Sequence, residues 1–304
     1  MKKNVLHAMA ILMALCLVIS CDSAPTVNEK VWDGTTSSTE WYTGAADGTT
    51  EYTIKTAADL VGLAKLVNDA ESPVDFSGKT IKLDADLDLN NKSWTPIGNA
   101  DSDYTVGSLK YKAFKGTFDG QNHTIKNLKV DSTAVKDGYY ASALFGWAHT
   151  GSEIKNLNID TATVDGHHYV AAIVGYLYSG QVTDCTVKNA ILTNTHANDD
   201  ACGDKTGAIV GIWQNSDGKT MKNSSATDCT IKGSRDAGKL VGATDPARID
   251  TTTCSATNVT VSKSTGECNH AWAGLNIRDT DDLYGRDLTK NKIEDQFGYT
   301  APEA

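Results

Sequence analysis

Ala143-Leu144-Phe145-Gly146, Ala172-Ile173-Val174-Gly175, Ala208-Ile209-Val210-Gly211 and Lys239-Leu240-Val241-Gly242 write one phrase four times: a small residue or lysine, two apolar residues, then glycine. The glycines stand 29, 36 and 31 residues apart. Between them runs a second line in the register φ-x-x-φ-x-φ-x-x-φ-x-φ, where φ is apolar or small. It reads Ile154/Leu157/Ile159/Ala162/Val164, Val182/Cys185/Val187/Ala190/Leu192, Met221/Ser224/Ala226/Cys229/Ile231 and Thr251/Cys254/Ala256/Val259/Val261. The φ-x-φ steps carry the period of two of a strand, and each x-x spacer marks a corner. A repeat of roughly 30 residues built from short strands predicts an all-β solenoid, because a single coil cannot bury its own faces and must stack on neighbours.

Two inward ladders follow from this alignment, Leu144/Ile173/Ile209/Leu240 and Ile159/Val187/Ala226/Ala256, with equivalents about 4.8 Å apart. The tetrad glycines are expected to supply either a positive φ or a close approach at a repeated corner. Two degenerate coils precede the tetrads, at Ile125/Leu128/Val130 and in the alternation from Thr80 to Leu89. Before them Thr56 is placed to N-cap a helix from about Ala57 to Asp69, with Leu60, Leu63, Ala64 and Val67 on one side. That helix would plug the open end of the stack, where strand edges are otherwise unpaired.

From Ile81 to Val261 the chain resembles the GLUG-motif surface proteins. The likeness rests on the tetrads, on Trp94-Thr95-Pro96-Ile97-Gly98, and on the run from Phe114-Lys115-Gly116-Thr117-Phe118-Asp119-Gly120 to Gln121-Asn122-His123-Thr124-Ile125, in that order. The first glycine of the family's tetrad is replaced here by Ala143, Ala172, Ala208 and Lys239. The resemblance implies a right-handed parallel β-helix and an adhesin-like surface protein.

The N-terminus carries its own address. Met1-Lys2-Lys3 and an apolar run from about Ala8 to Ile19 read as a signal peptide, too short for a permanent span. The run ends Leu17-Val18-Ile19-Ser20-Cys21, a bacterial lipobox, so residues 1–20 are expected to be removed and Cys21 lipidated. Residues 21–50, rich in Ser, Thr, Gly and Asp, read as a flexible tether, 51–265 as the β-helix with its cap, and 266–304 as a C-terminal cap or tail. The expected location is the bacterial envelope, at the outer membrane or cell surface, with the membrane as partner through the lipid.

Composition narrows the other partners. A formal net charge of −10, from 28 Lys+Arg against 38 Asp+Glu and with no basic block, disfavours nucleic acid and polyanionic glycans. Of the seven cysteines, Cys185, Cys229 and Cys254 are expected to be buried and reduced, while Cys202 and Cys268 are free to pair. No metal or cofactor is expected: His149, His167, His168, His196 and Cys202 lack the spacing of a zinc site, and Asp84, Asp86 and Asp88 alternate as an outer face.

The chain is expected not to be an enzyme. Loop carboxylates occur at Asp199-Asp200 and Asp279–Asp282, but the Gly-His-Gly and Arg-Ile-Lys elements of β-helical polygalacturonases are absent. The expected function is a lipid-anchored adhesin or binding protein for a glycan or a protein. The alternatives are a structural spacer of the envelope and, behind it, a polysaccharide-degrading enzyme. The candidate ligand-binding residues are Tyr140, Trp147, Tyr169 and Tyr176: counted from the tetrad glycines, Tyr140 falls over Tyr169 and Trp147 over Tyr176. Such columns offer either an exposed stacking platform or rings that pack together to stiffen a corner.

Overall fold

The computed structural model describes residues 30–100, 111–131, 141–194, 205–214, 218–233, 236–263 and 283–287. The protein is mostly β, and all but one antiparallel pair of strands fall into four parallel sheets that the chain visits in turn. One coil shows the pattern: Glu153–Lys155 lies in the first sheet, Asn158–Gly166 in the second, Tyr169–Val170 in the third and Val174–Tyr178 in the fourth. Gln181–Thr183 then pairs with Glu153–Lys155 one layer on. Both inward ladders form. Ile159, Val187, Ala226 and Ala256 pair in register, preceded by Ile125 and Leu87. Leu144, Ile173, Ile209 and Leu240 are fully buried one position before the register Phe145/Val174/Val210/Val241. In the first sheet Tyr52, Ile81, Phe118, Ile154 and Val182 make a third column.

The tetrad glycines serve close approach and not a positive φ. None of the four has a left-handed backbone. A Cβ on Gly211 would sit 2.6 Å from the carbonyl oxygen of Gly175, and one on Gly242 would collide with that of Gly211. Within the second line, left-handed residues stand instead at the second position of the x-x spacers. They are Asn156, Asp184 and Asn223 at one corner, and Asn127, Thr161, Asn189, Asp228 and Asn258 at the next. Asn and Asp tolerate this conformation because the short polar side chain bonds locally. Here the amides also tie coils together: Asn156 Nδ2 donates to Asp119 Oδ1 at 2.9 Å, and Asn189 Nδ2 to Asp160 Oδ1 at 2.8 Å.

Cys185, Cys229 and Cys254 are buried and unbridged. Each follows a corner; Cys185 donates its S–H to Thr183 O at 3.1 Å and Cys229 to Thr227 O at 3.3 Å, while Cys254 donates to Met221 O of the preceding coil at 3.5 Å. Ser224, which occupies the Cys185 position one coil on, donates to Lys222 O at 2.8 Å. Leu157 fills the Cys185 position one coil earlier without a donor, so serine and cysteine add this hydrogen bond to an inward position that apolar residues also occupy. Burial pushes the Cys185 thiol up to about 12. Cys21, Cys202 and Cys268 lie outside the described residues.

Three expectations are corrected. The fourth copy of the second line begins at Ile249 and not at Thr251: Met221 bridges Ile249, while Thr251 is exposed. A 3-10 turn at Pro246–Arg248 and a turn capped by Asp250 lengthen that corner. The expected tether to residue 50 is folded from residue 30. Val31 bridges Asp88, Trp32 is buried edge-on to Trp94 at 6.1 Å, and Trp41 stacks on Phe76 at 6.0 Å. Trp32, Trp41 and Tyr42 are diluted there by serine, threonine and glycine, so the composition reads as linker. In the expected tail, Tyr284–Asp287 pairs with Val241–Thr244 as a further strand of the fourth sheet.

The end of the stack is capped by α1 (Glu40–Thr43) and α2 (Ala57–Val67). Thr56 and Asp59 form a full capping box at the start of α2, and Leu60, Leu63, Ala64 and Val67 face the core.

Two outcomes are expected. Thr161 holds an exposed β-branched residue at φ 61°, where four of its equivalents are Asn or Asp. Thr161→Asn should therefore stabilise by about 1 kcal/mol in urea titration, and an unchanged or lower midpoint would refute the strain. With Cys202 and Cys268 replaced by serine, the three buried thiols should react with a thiol reagent only on unfolding; rapid labelling in buffer would place them outside the core.

Candidate functional site

The outer face of the fourth sheet carries the aromatic residues. In each strand the inner and outer positions alternate, so Ala148, Leu177 and Trp213 face the core and their neighbours face out. Trp147, Tyr176, Ile212 and Ala243 form the first outer column, in the register expected for Trp147 and Tyr176. Two residues further along, His149 stacks on Tyr178, which pairs with Gln214, and the three form the second. The Tyr140/Tyr169 column does not form in that register. Tyr169 pairs with Ala141, because Ala141 lies five positions before its tetrad glycine and Tyr169 six before its own. Tyr140 itself lies outside the described residues.

The rings do not make an exposed platform. Trp147 is 2 % exposed, Tyr169 1 % and Tyr176 6 %. They pack with Ala113, Ala141, Ile212 and Ala243 into a second apolar cluster outside the coil lumen, between the third and fourth sheets. Their faces are also occupied. Trp147 and Tyr176 stack at 4.1 Å between ring centroids and 24° between planes, and His149 and Tyr178 at 4.6 Å and 23°. In-register residues one coil spacing apart put aromatic faces against each other along the stack axis. A ligand ring thus finds an open face only at an end of the ladder.

One such end is built by an insertion. After Gly98 the chain leaves the coil through an antiparallel pair, Asn99–Ala100 with Tyr111–Lys112, and rejoins it at Phe114, which bridges Ala148. Tyr111 lies over both columns, 5.7 Å from Trp147 and 4.9 Å from His149, with planes within 18°. At 38 % exposure it is an exposed large apolar side chain, shared among the described residues only with Ile191. Two lysines follow Tyr111 in the chain. Lys112 Nζ donates to Asn68 O at 3.2 Å, and Lys115 Nζ pairs with Asp75 at 3.1 Å. Asp69 is held below the usual carboxylate range by the N–H groups of Ser72 and Glu71, with a smaller effect of the Lys112 charge. Burial and the Lys115 charge lower His149, which keeps the second column uncharged near neutral pH.

Further charge is buried beside this cluster. Lys205 follows Tyr169 in the third sheet and Asp236 follows Lys205. Lys205 Nζ lies 5.9 Å from the Tyr169 ring centroid and 3.9 Å from Asp236 Oδ2. The other polar candidates are structural. Asp86 accepts from Thr124 N and His123, and Asp88 from Asn90 N and Asn127 Nδ2. Among the described residues no group of three His, Cys, Asp or Glu is placed to hold a metal ion, and no helix is long and apolar enough to cross a membrane. His196, Asp199, Asp200 and Asp279–Asp282 lie outside the described residues.

No family model and no curated protein matches the chain. Among solved structures it is similar to one from Bacteroides ovatus described as a "putative immunoglobulin A1 protease", with 15% identity and a TM-score of 0.35, covering 71% of this chain and 81% of that one. A likeness at that level carries no argument about activity.

The geometry separates support from recognition. Trp147→Ala removes a buried ring with two stacking partners and should cost about 3–5 kcal/mol. Tyr111→Ala should cost under about 1 kcal/mol, since that side chain is 38 % exposed where Trp147 is 2 %. Comparable losses for the two variants in thermal melts would contradict this division.

Proposed function

We propose that the chain is a lipid-anchored bacterial surface protein of adhesin-like, non-catalytic kind that binds an uncharged glycan at the Tyr111 end of the aromatic ladder. The observation that carries the reading is one partly exposed ring stacked on Trp147 and His149, with Lys112 and Lys115 following it in the chain. A pyranose lays its C–H face on such a ring, while ammonium groups serve its hydroxyls. The net charge of −10 argues against a polyanionic ligand.

The stack is a right-handed parallel β-helix in this reading, in keeping with the hand that parallel crossovers strongly prefer. The resemblance of the tetrads to the GLUG proteins and the lipobox at Cys21 support the envelope location. The burial of Trp147, Tyr169 and Tyr176 favours a second reading, a rigid envelope spacer without a ligand.

A glycan array on the Cys21→Ser chain tests both. For a binder, Tyr111→Ala should weaken a neutral-glycan signal by roughly ten- to a hundredfold, the loss of an aromatic anchor, with the melting temperature unchanged. A blank array, or a signal indifferent to Tyr111, leaves the spacer. In cells, Cys21→Ser should release the protein from washed membranes, and its retention there would refute the lipid anchor.

A further inference from the structure

We infer that the α2 end of the coil stack is the membrane-facing pole and that the stack stands on the bilayer with its later coils pointing away. This rests on the lipid anchor proposed for Cys21. The described residues begin at Lys30, so eight residues, 22–29, separate the lipidated cysteine from them. However those eight are arranged, they reach at most about 30 Å, against roughly 100 Å for a tether running to residue 50.

The point of entry is the first layer of the stack. Lys30 O accepts from Asp88 N and Asp88 O accepts from Trp32 N, which adds residues 30–32 to the outermost strand of the second sheet. The following segment is fastened across the cap and cannot pay out as extra tether. Trp41 Nε1 donates to Asp59 O at 3.2 Å, Ser38 N to Ala58 O at 2.9 Å, and Lys65 Nζ to Ser37 Oγ at 2.6 Å. Gly62 makes room for this, since a Cβ there would strike the Ser38 carbonyl.

Charge sets the pose. Residues 30–50 carry one lysine against three carboxylates, Asp33, Glu40 and Asp47. Asp33 is held ionised by the Thr36 hydroxyl and the N–H groups of Thr36 and Thr35. The chain as a whole carries a formal net charge of −10, so its long sides are repelled by anionic headgroups and the lipid at the pole is what holds the stack to the bilayer. The second sheet then rises through seven layers, from Val31 to Ser255–Thr257, about 29 Å at the strand spacing.

Energy transfer to an acceptor-labelled bilayer measures this. The full chain, lipidated in the cell and reconstituted into vesicles, would carry one dye at Asp47→Cys or at Thr257→Cys, both exposed positions, with Cys202 and Cys268 replaced by serine. Transfer from residue 47 should exceed that from residue 257 by at least about threefold, given the two distances. Equal transfer means that the stack lies flat, and a reversed order that it is inverted; either overturns the inference while leaving the anchor intact. Failure of the chain to float with vesicles, unchanged in Cys21→Ser, removes the anchor reading and the inference with it.

Discussion

At the tetrad corner the backbones of successive coils come so close that a carbonyl oxygen of one occupies the place where the next would begin a side chain. Gly211 sits on the Gly175 carbonyl in this way, and Gly242 on that of Gly211. Everything else in the stack depends on this approach. It holds the fourth sheet in register, so that Phe145, Val174, Val210 and Val241 repeat at one strand spacing. The apolar residue before each glycine then falls into the lumen. It also folds the third and fourth sheets toward each other on their outer side, which creates the niche that Trp147, Tyr169 and Tyr176 fill.

A stack of short strands must also satisfy its backbone at every turn. The protein meets this with side chains used twice. Asn156 and Asn189 take the left-handed conformation of the corner and donate to a carboxylate in the preceding coil. Cys185, Ser224 and Cys229 fill an inward position and donate to the carbonyl two residues back. The corners are therefore hydrogen-bonded from inside and outside, and neither device needs a disulfide or a metal.

The same repetition decides where recognition is possible. Rings placed in one register column satisfy one another face to face, so a regular ladder is a support and not a surface. The break in regularity matters more: an insertion between Gly98 and Phe114 brings in Tyr111, a ring with no counterpart in the following coils, and leaves it partly in water. Function of the kind proposed here belongs to departures from the repeat, held in position by coils whose interactions are already complete.

The coil register through the third copy, both inward ladders, the x-x corner positions and the capping helix were legible in the sequence because they depend on periodicity and on local capping chemistry. Thr56 with Asp59, and the x-x spacers, need only near neighbours. Three things were not legible. Burial of Trp147 and Tyr169 depends on the angle between two sheets, and spacing alone does not specify that angle. The folded stretch from residue 30 depends on Trp32 and Trp41 finding Trp94 and Phe76 far along the chain, contacts that composition cannot register. Tyr111 reaches His149 and Trp147 only through an antiparallel excursion outside the repeat. The sequence by itself determined what recurs, since every coil faces the same neighbours. Tertiary structure alone decided which residues remain in water, because exposure is set by the packing of non-repeating segments against the stack.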